Sequence, residues 1–314
     1  MPLTNADLLA DDIVARWIVE NSPIKVPFYQ AWFWQNVAGK SLIYPRTTQL
    51  AQAAVIAACG APTEQLPTVS QVEFTFKEFI THYSVCAVDL DRFQHPNNLD
   101  AVLFALAKIR ILYAYASILG DALQGLPSLA DPARIVAAGG GPLTLDCLDQ
   151  AYELVSAGTG RPNLIMSHSL MLRTYRSICR AAGLVPERVD WMWYNPATRR
   201  MEEGKVDAFN GTVWLANDML DDGNPQIFFM MIGDDGGAGP TRGITGIVPT
   251  AKDRNFFNKR TVNGIFVPDG GGPGVPQMQA GEETWVSMPA GFALGSQGAL
   301  SILQEFATVA ACGG

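Results

Sequence analysis

The stretch "NVAGKS" (Asn36 to Ser41) ends as a phosphate-cradling loop ends, with Gly-Lys-Ser. Such a loop wraps phosphates in backbone N–H groups and runs into a helix, with a second glycine five residues before Gly39. That position holds Trp34, and no helix signal follows Ser41, so nucleotide binding is not indicated. "NDMLDDGN" (Asn217 to Asn224) places acidic side chains as a calcium loop does. Counted from Asp218, the required oxygen ligand falls on Leu220 and the closing glutamate on Phe229, so the run reads as a solvated acidic turn. "GDDGGAGPTRG" (Gly233 to Gly243) is glycine-rich but lacks the dinucleotide-binding spacing at a strand-to-helix junction, and reads as a mobile or interface loop.

Acid–base and nucleophilic chemistry fare no better. The three histidines are His82, His95 and His168, and none falls in a metalloprotease, nucleophile-elbow or cysteine–histidine pattern. Ser167-His168-Ser169 sits at a helix start, where these residue types cap. Carboxylate pairs could be drawn from Asp89, Asp91, Glu202, Glu203, Asp221 and Asp222, yet nothing in the sequence brings two of them to catalytic separation. The five cysteines (Cys59, Cys86, Cys147, Cys179, Cys312) are odd in number and irregular in spacing, which fits buried free thiols rather than a zinc site or a disulfide framework. The sequence therefore nominates no catalytic, cofactor-binding or metal-ligating residue and gives no reason of its own to propose an enzyme.

Composition narrows the class. The chain has 314 residues, 48% hydrophobic and only 17% charged, with a net charge of −8. Low charge on a large chain implies that partner subunits cover much of its surface. The acidic balance argues against tight binding to a phosphate backbone. The N-terminus has neither a basic nor an apolar leader region, and no stretch reads as a membrane span. The expectation is use in a cytoplasm-like compartment, or in a particle assembled there.

The elements that would position any functional surface follow from pattern. Thr4 to Glu20 reads as a helix with the stripe Leu9, Ile13, Trp17 and Ile18. A proline-broken segment follows, rich in Phe28, Tyr29, Trp32, Phe33 and Trp34. It is too aromatic to be solvated and must lie on this subunit's core or a neighbour's. "GKSLIYPR" (Gly39 to Arg46) is a short strand. "TTQLAQAAVIAACGAPTEQLPTVS" is a low-charge excursion punctuated by Gly60, Pro62 and Pro67. The return path, Gln71 to Leu90, alternates as a strand over roughly 65 Å at about 3.3 Å per residue. A bend at Lys77-Glu78 switches its apolar face from Val72, Phe74 and Phe76 to Phe79.

A helix from Leu99 to Leu119, capped by Asn97 or Asn98 and ended by Gly120, carries the stripe Leu99, Val102, Leu106, Ile109, Tyr113 and Ala116. Beyond it, helices at "LTLDCLDQAYELVSAG" and "HSLMLRTYRSICRAAG" alternate with the strand "RPNLIMS". They are followed by a hairpin turning at Asn210-Gly211 and by the apolar strand "PQIFFMMIG". Asp234 to Gly281 is rich in Gly and Pro, and a strand-like C-terminal segment closes the chain. The intermixture predicts an α+β protein.

The order of these blocks resembles the major capsid protein of tailed bacteriophages, the Hong Kong 97-type fold. The segment from Phe74 to Leu126 resembles that family's long strand and spine helix, with an exit formed by Leu119, Gly120, Asp121, Gln124, Gly125 and Leu126. Leu143 to Ile178 resembles the opening of its axial domain. The resemblance implies an N-terminal arm (1–38), an extended loop (39–76), a peripheral domain with its spine helix (77–142 and 281–314) and an axial domain (143–280). It implies a subunit that self-assembles through pentamers and hexamers into an icosahedral shell around double-stranded DNA, in the virion, assembled in the host cytoplasm, without membrane contact or sequence-specific DNA binding.

Phe28, Trp32, Trp34, Leu50, Val55, Ile56, Phe74 and Phe76 become the expected inter-subunit contacts. The arm begins almost at Met1, so scaffolding, like decoration, would come from separate chains. Lys40 is the sole lysine near the extended loop and sits at its base, which gives no basis for crosslinking. Two other readings compete: an encapsulin-like compartment shell, and a soluble α+β enzyme with a concave pocket.

Overall fold

A computed structural model describes residues 32–49, 68–86, 99–156, 160–195, 200–221, 223–233, 243–250, 257–268 and 278–306. The expected N-terminal helix, the tip of the excursion (50–67), the caps at Asn97 and Asn98, His95, Cys59 and Cys312 lie outside them.

The first strand, β1 (Trp34–Val37), runs parallel to β11 (Ile244–Pro249). A hairpin then leaves the body: β2 (Ser41–Gln49) pairs antiparallel with β3 (Thr68–Thr75) in a two-stranded sheet of its own. The path from β3 breaks at Phe76 and resumes as β4 (Lys77–Cys86). The expected long strand is thus two strands in two sheets. The break comes one residue before the anticipated bend. The face switch occurs as the alternation implied: Val72 and Phe74 turn inward on β3, then Phe79, Thr81, Tyr83 and Val85 on β4, with Ile80, His82 and Ser84 exposed between them.

β4 pairs with β13 (Met278–Leu294), which also pairs with β12 (Asn258–Pro268) and β11. Against the inner face of this sheet lies α1 (Leu99–Ile118). Its buried residues are Leu103, Ala107, Ile111, Tyr115 and Ala116. Of the expected stripe residues whose burial is described, Ala116 is buried, while Val102, Leu106, Ile109 and Tyr113 are half-buried. The helix carries three charges, Asp100, Lys108 and Arg110, and is apolar around most of its circumference. Periodicity cannot choose a face on such a helix.

A second sheet holds seven strands. In spatial order they are β5 (Ile135–Ala137), β14 (Leu300–Gln304), β10 (Gln226–Met230), β6 (Leu164–Ser167), β9 (Thr212–Ala216), β8 (Arg200–Phe209) and β7 (Arg188–Asn195). β6 and β10 are buried on both faces, as their unbroken apolar runs required. One face carries α2 (Leu145–Glu153) and α3 (Ser169–Ala181): Tyr152 packs on Phe229, and Tyr175 on Trp214. Thr144 caps α2, and His168 caps α3 by accepting from the Leu170 N–H at 3.1 Å. On the opposite face, buried Asn217 donates to the Ala116 carbonyl of α1 at 3.1 Å, tying the two sheets together. The β8–β9 turn at Asn210 (φ 48°) and Gly211 (φ 77°) has the left-handed pair that Asn-Gly supplies cheaply.

Sheet pairing partitions the chain differently from the expected blocks. β11 and β12 fall within 143–280 yet pair with β13. β14 falls within 281–314 yet lies in the seven-stranded sheet. The Gly- and Pro-rich block 234–281 gave no strand signal in the sequence; long-range pairing with β13 reveals β11 and β12 within it.

Two measurements test this packing. A Cβ on Gly246 would stand 2.4 Å from Trp32 Nε1 and 2.6 Å from Trp34 Cε3, against rigid indoles. Gly246→Ala should lose about 1–3 kcal/mol in chemical denaturation and shift the tryptophan emission maximum; unchanged emission and stability would contradict the placement of both indoles. On the inner sheet face, burial, then the 2.7 Å hydrogen bond to Asp100, hold the Tyr83 phenol above its ordinary value. The folded state therefore keeps the proton longer than the unfolded chain. Its contribution is complete below about pH 10 and declines as pH rises further. Tyr83→Phe should flatten the fall in stability above about pH 10; a curve parallel to wild type would rule this out.

Candidate subunit interface

The sequence-nominated contact residues divide in the structure. Trp32 and Phe74 are buried in the subunit's own core, Trp32 edge-on to Phe292 and Phe74 against Tyr44. Trp34 and Phe76 are half-buried, with Trp34 5.2 Å from the Tyr115 ring. Phe28, Leu50, Val55 and Ile56 lie outside the described residues. The root of the hairpin therefore belongs to the body. Between buried Tyr44 and the start of β2, on the opposite face of the ribbon, Ile43 is 53% exposed.

A second surface with exposed apolar residues was not nominated. It is the outer face of the sheet formed by β4, β13 and β12. Cross-strand register sets Arg260, Trp285 and His82 in one row, and Asn258, Ser287 and Ile80 in the next. His82 stacks on Trp285 with ring centroids 4.9 Å apart. Ile80 is 53% exposed and Trp285 41%. Glu78, Ile80, Asn258, Arg260, Val262, Trp285 and Ser287 line an open groove of about 500 Å³. Alternation of exposed and inward residues along β4 carried the signal, but it could be read only once β4 was known to be covered on one face.

α1 is held against the inner face by charge as well as packing. Asp100 in its first turn accepts from Tyr83 and from Lys259 Nζ at 2.6 Å, and Lys259 Nζ also lies 5.3 Å from the Phe104 ring centroid. These contacts fix the sheet from behind and leave the outer face presented as a rigid surface.

Among the described residues, those considered for chemistry do not assemble; Asp89, Asp91 and Asp222 lie outside them. His82 is on the sheet face and His168 is a helix cap. Glu202 and Glu203 are successive residues of β8. Asp221 accepts from Gly223 N–H in a turn, and Asp218 from Ser169 N–H. Of the described cysteines, Cys179 is buried while Cys86 and Cys147 are half-buried. Among the described residues no cluster of His, Cys, Asp and Glu could hold a metal ion. Among them, too, no helix is long and apolar enough to cross a membrane.

No protein-family model and no curated protein matches the sequence. Solved structures do match, across nearly the whole chain. A holo-SrpI encapsulin complex from Synechococcus elongatus PCC 7942 superposes with TM-score 0.69 at 15% identity, covering 96% of this chain and 94% of that one. The capsid of a native GTA particle gives 0.62 at 14% identity, covering 96% of each. Mycobacterium phage Bobi gives 0.60 at 12% identity, covering 98% and 99%. This chain has the Hong Kong 97-like capsid fold. The hairpin, spine helix and two sheets are the parts of that fold, and identities this low show the fold alone.

If the outer sheet face is covered in an assembly, a charge placed at its centre should matter there and not in the subunit. Ile80→Glu should stay within about 0.5 kcal/mol of wild-type stability while reducing the mass of any assembly to that of the subunit; assemblies of undiminished mass would show that the face is not an interface.

Proposed function

We propose that this chain is the major capsid protein of a bacteriophage-type particle, a subunit that assembles through pentamers and hexamers into an icosahedral shell. The observation that carries the reading is a pair of surfaces left uncovered on a fold shared with phage and GTA capsids. One is the β2–β3 hairpin, which belongs to neither large sheet. The other is the outer sheet face around Ile80 and Trp285. Each needs a partner to bury it, and a hairpin of one copy laid on another would bury area without enlarging the core. Such a contact joins unlike patches, and with suitable rotation it closes into rings.

The expected division is carried into this reading with the sheet pairings as its guide: residues 1–38 an arm, 39–76 the extended loop, a peripheral body around α1 and β13 that takes in β11 and β12, and an axial body around the seven-stranded sheet that takes in β14. The proposed contacts on the arm and loop are Phe28, Leu50, Val55 and Ile56, with the outward edges of Trp34 and Phe76. Trp32 and Phe74 act indirectly, by fixing the roots of those elements. The shell encloses double-stranded DNA without sequence-specific contact, a role that the net charge of −8 suits because tight binding would oppose filling and release. Assembly takes place in the host cytoplasm, with any scaffolding or decoration supplied by other chains. The subunit performs no catalysis.

A second reading, a compartment shell that takes protein cargo, is favoured by the superposition on the encapsulin complex. Particle contents separate the two. Nuclease-protected DNA in particles from the native source supports the phage reading, and co-purifying protein supports the other.

Size-exclusion chromatography with light scattering on the chain expressed alone tests the shell itself. Rings of five or six, or megadalton particles, are expected; a soluble monomer of 33.9 kDa at high concentration would overturn the proposal. Replacing residues 50–67 by a short Gly-Ser turn should leave the subunit folded and abolish the large species.

A further inference from the structure

The hairpin leaves the body at a joint whose two sides are built differently. On the β1–β2 side, Ala38, Gly39 and Lys40 are exposed, and Gly39 (φ 125°) has nothing within 4 Å of where a Cβ would be. Four residues on, the Tyr44 hydroxyl donates to Gln35 Oε1 at 2.8 Å. On the β3–β4 side the chain passes through Phe76 alone. Thr75 is the last residue of β3, paired with Ser41, and Lys77 is the first of β4, paired with Ala290 of β13. Lys77 is therefore the last rung of the body before the hairpin.

Its ammonium group reaches to the far end of α1 and donates to the Gln124 carbonyl at 2.6 Å. The acceptor sits in a stiff turn. Asp121 Oδ1 accepts from Leu123 N–H at 2.9 Å and Gln124 N–H at 2.8 Å, and Leu126 N–H donates to the Leu119 carbonyl at 2.9 Å. Gly125 is pressed so closely on the helix end that a Cβ would lie 2.2 Å from the Ile118 carbonyl oxygen. The last turn of α1 has no basic residue, so Lys77, with Asp121 beside it, supplies the cation that a helix's negative end attracts. Partial burial at this spot lowers the Lys77 pKa, opposed by the Asp121 charge.

We propose that Lys77 is a positioning residue: by locking the root of the hairpin to the Asp121–Gly125 turn of the spine helix, it sets the direction in which the hairpin leaves the subunit, and so the curvature of the assembly. The part about curvature rests on the shell reading; the lock itself does not. A rigid two-point link across one unpaired residue transmits the spine's orientation to the hairpin, and a small change of angle at the root becomes a large displacement at the tip.

The test uses full-length Lys77→Met, which keeps the stem and removes the charge, with Asp121→Asn, which keeps the turn's acceptor oxygen, and Lys77→Arg as the conservative rescue. Hydrogen exchange on the purified chain should rise about tenfold at 71–76 and 122–126 in Lys77→Met, with β6 and β10 unchanged, and return toward wild type in Lys77→Arg. Asp121→Asn should fall between. In electron micrographs, Lys77→Met should give particles of mixed diameter where wild type gives one. Unchanged exchange at the root overturns the lock, and raised exchange with unaltered diameters overturns its control of curvature. If wild type forms no particles, the shell reading fails and hydrogen exchange alone decides the lock.

Discussion

Four distant stretches of chain meet at the Tyr115 ring, and the placement of everything assembly would use depends on that junction. Trp34 of β1, Phe79 of β4 and Phe292 of β13 stand 5.2, 5.6 and 4.9 Å from it, and Tyr115 itself is fully buried on α1. Aromatic pairs of this kind contribute about 0.5–1.5 kcal/mol each beyond the area they bury. Their geometric effect is greater than their energy. β1 fixes where the hairpin begins, β4 fixes where it returns, and β13 carries the sheet face that looks outward. One ring on the spine helix sets all three against each other.

From this junction the subunit separates into a part covered on both faces and a part covered on one. The centre of the seven-stranded sheet is covered by α2 and α3 on one face and by the end of α1 on the other. The sheet of β4, β13 and β12 is covered only from behind. Its outer face exposes Ile80, Val262 and Trp285 among polar and charged residues that include Glu78, His82, Asn258, Arg260 and Ser287. The hairpin, with β2 and β3 paired only to each other, repeats the asymmetry. A two-stranded ribbon is marginal in water, so burial of its root through Tyr44 and Phe74 is what lets it project at all.

The sequence was legible where a pattern is local. The Asn210-Gly211 turn, the unbroken apolar runs of β6 and β10, the His168 cap and the parity switch between Phe76 and Phe79 follow from neighbouring residues, and the structure has them. It was not legible where the deciding partner is far along the chain. β11 and β12 lie among Gly and Pro residues and exist because β13 pairs with them. The buried face of α1 was misassigned because nearly every face of that helix is apolar. The contact surface was sought in the most aromatic segment, yet Trp32 is consumed by the subunit's own core. The exposed row of Ile80, His82 and Ser84 looked like half of an ordinary strand.

The central claim is that copies of this chain complete one another, the hairpin of one covering the open sheet face of the next. A single-particle electron microscopy reconstruction of the full chain expressed alone tests it most directly. The account predicts a closed shell in which density for the β2–β3 hairpin crosses from its own subunit onto the Ile80–Trp285 face of a neighbour. Particles in which that face stays open to solvent while the hairpin folds back on its own subunit would contradict it.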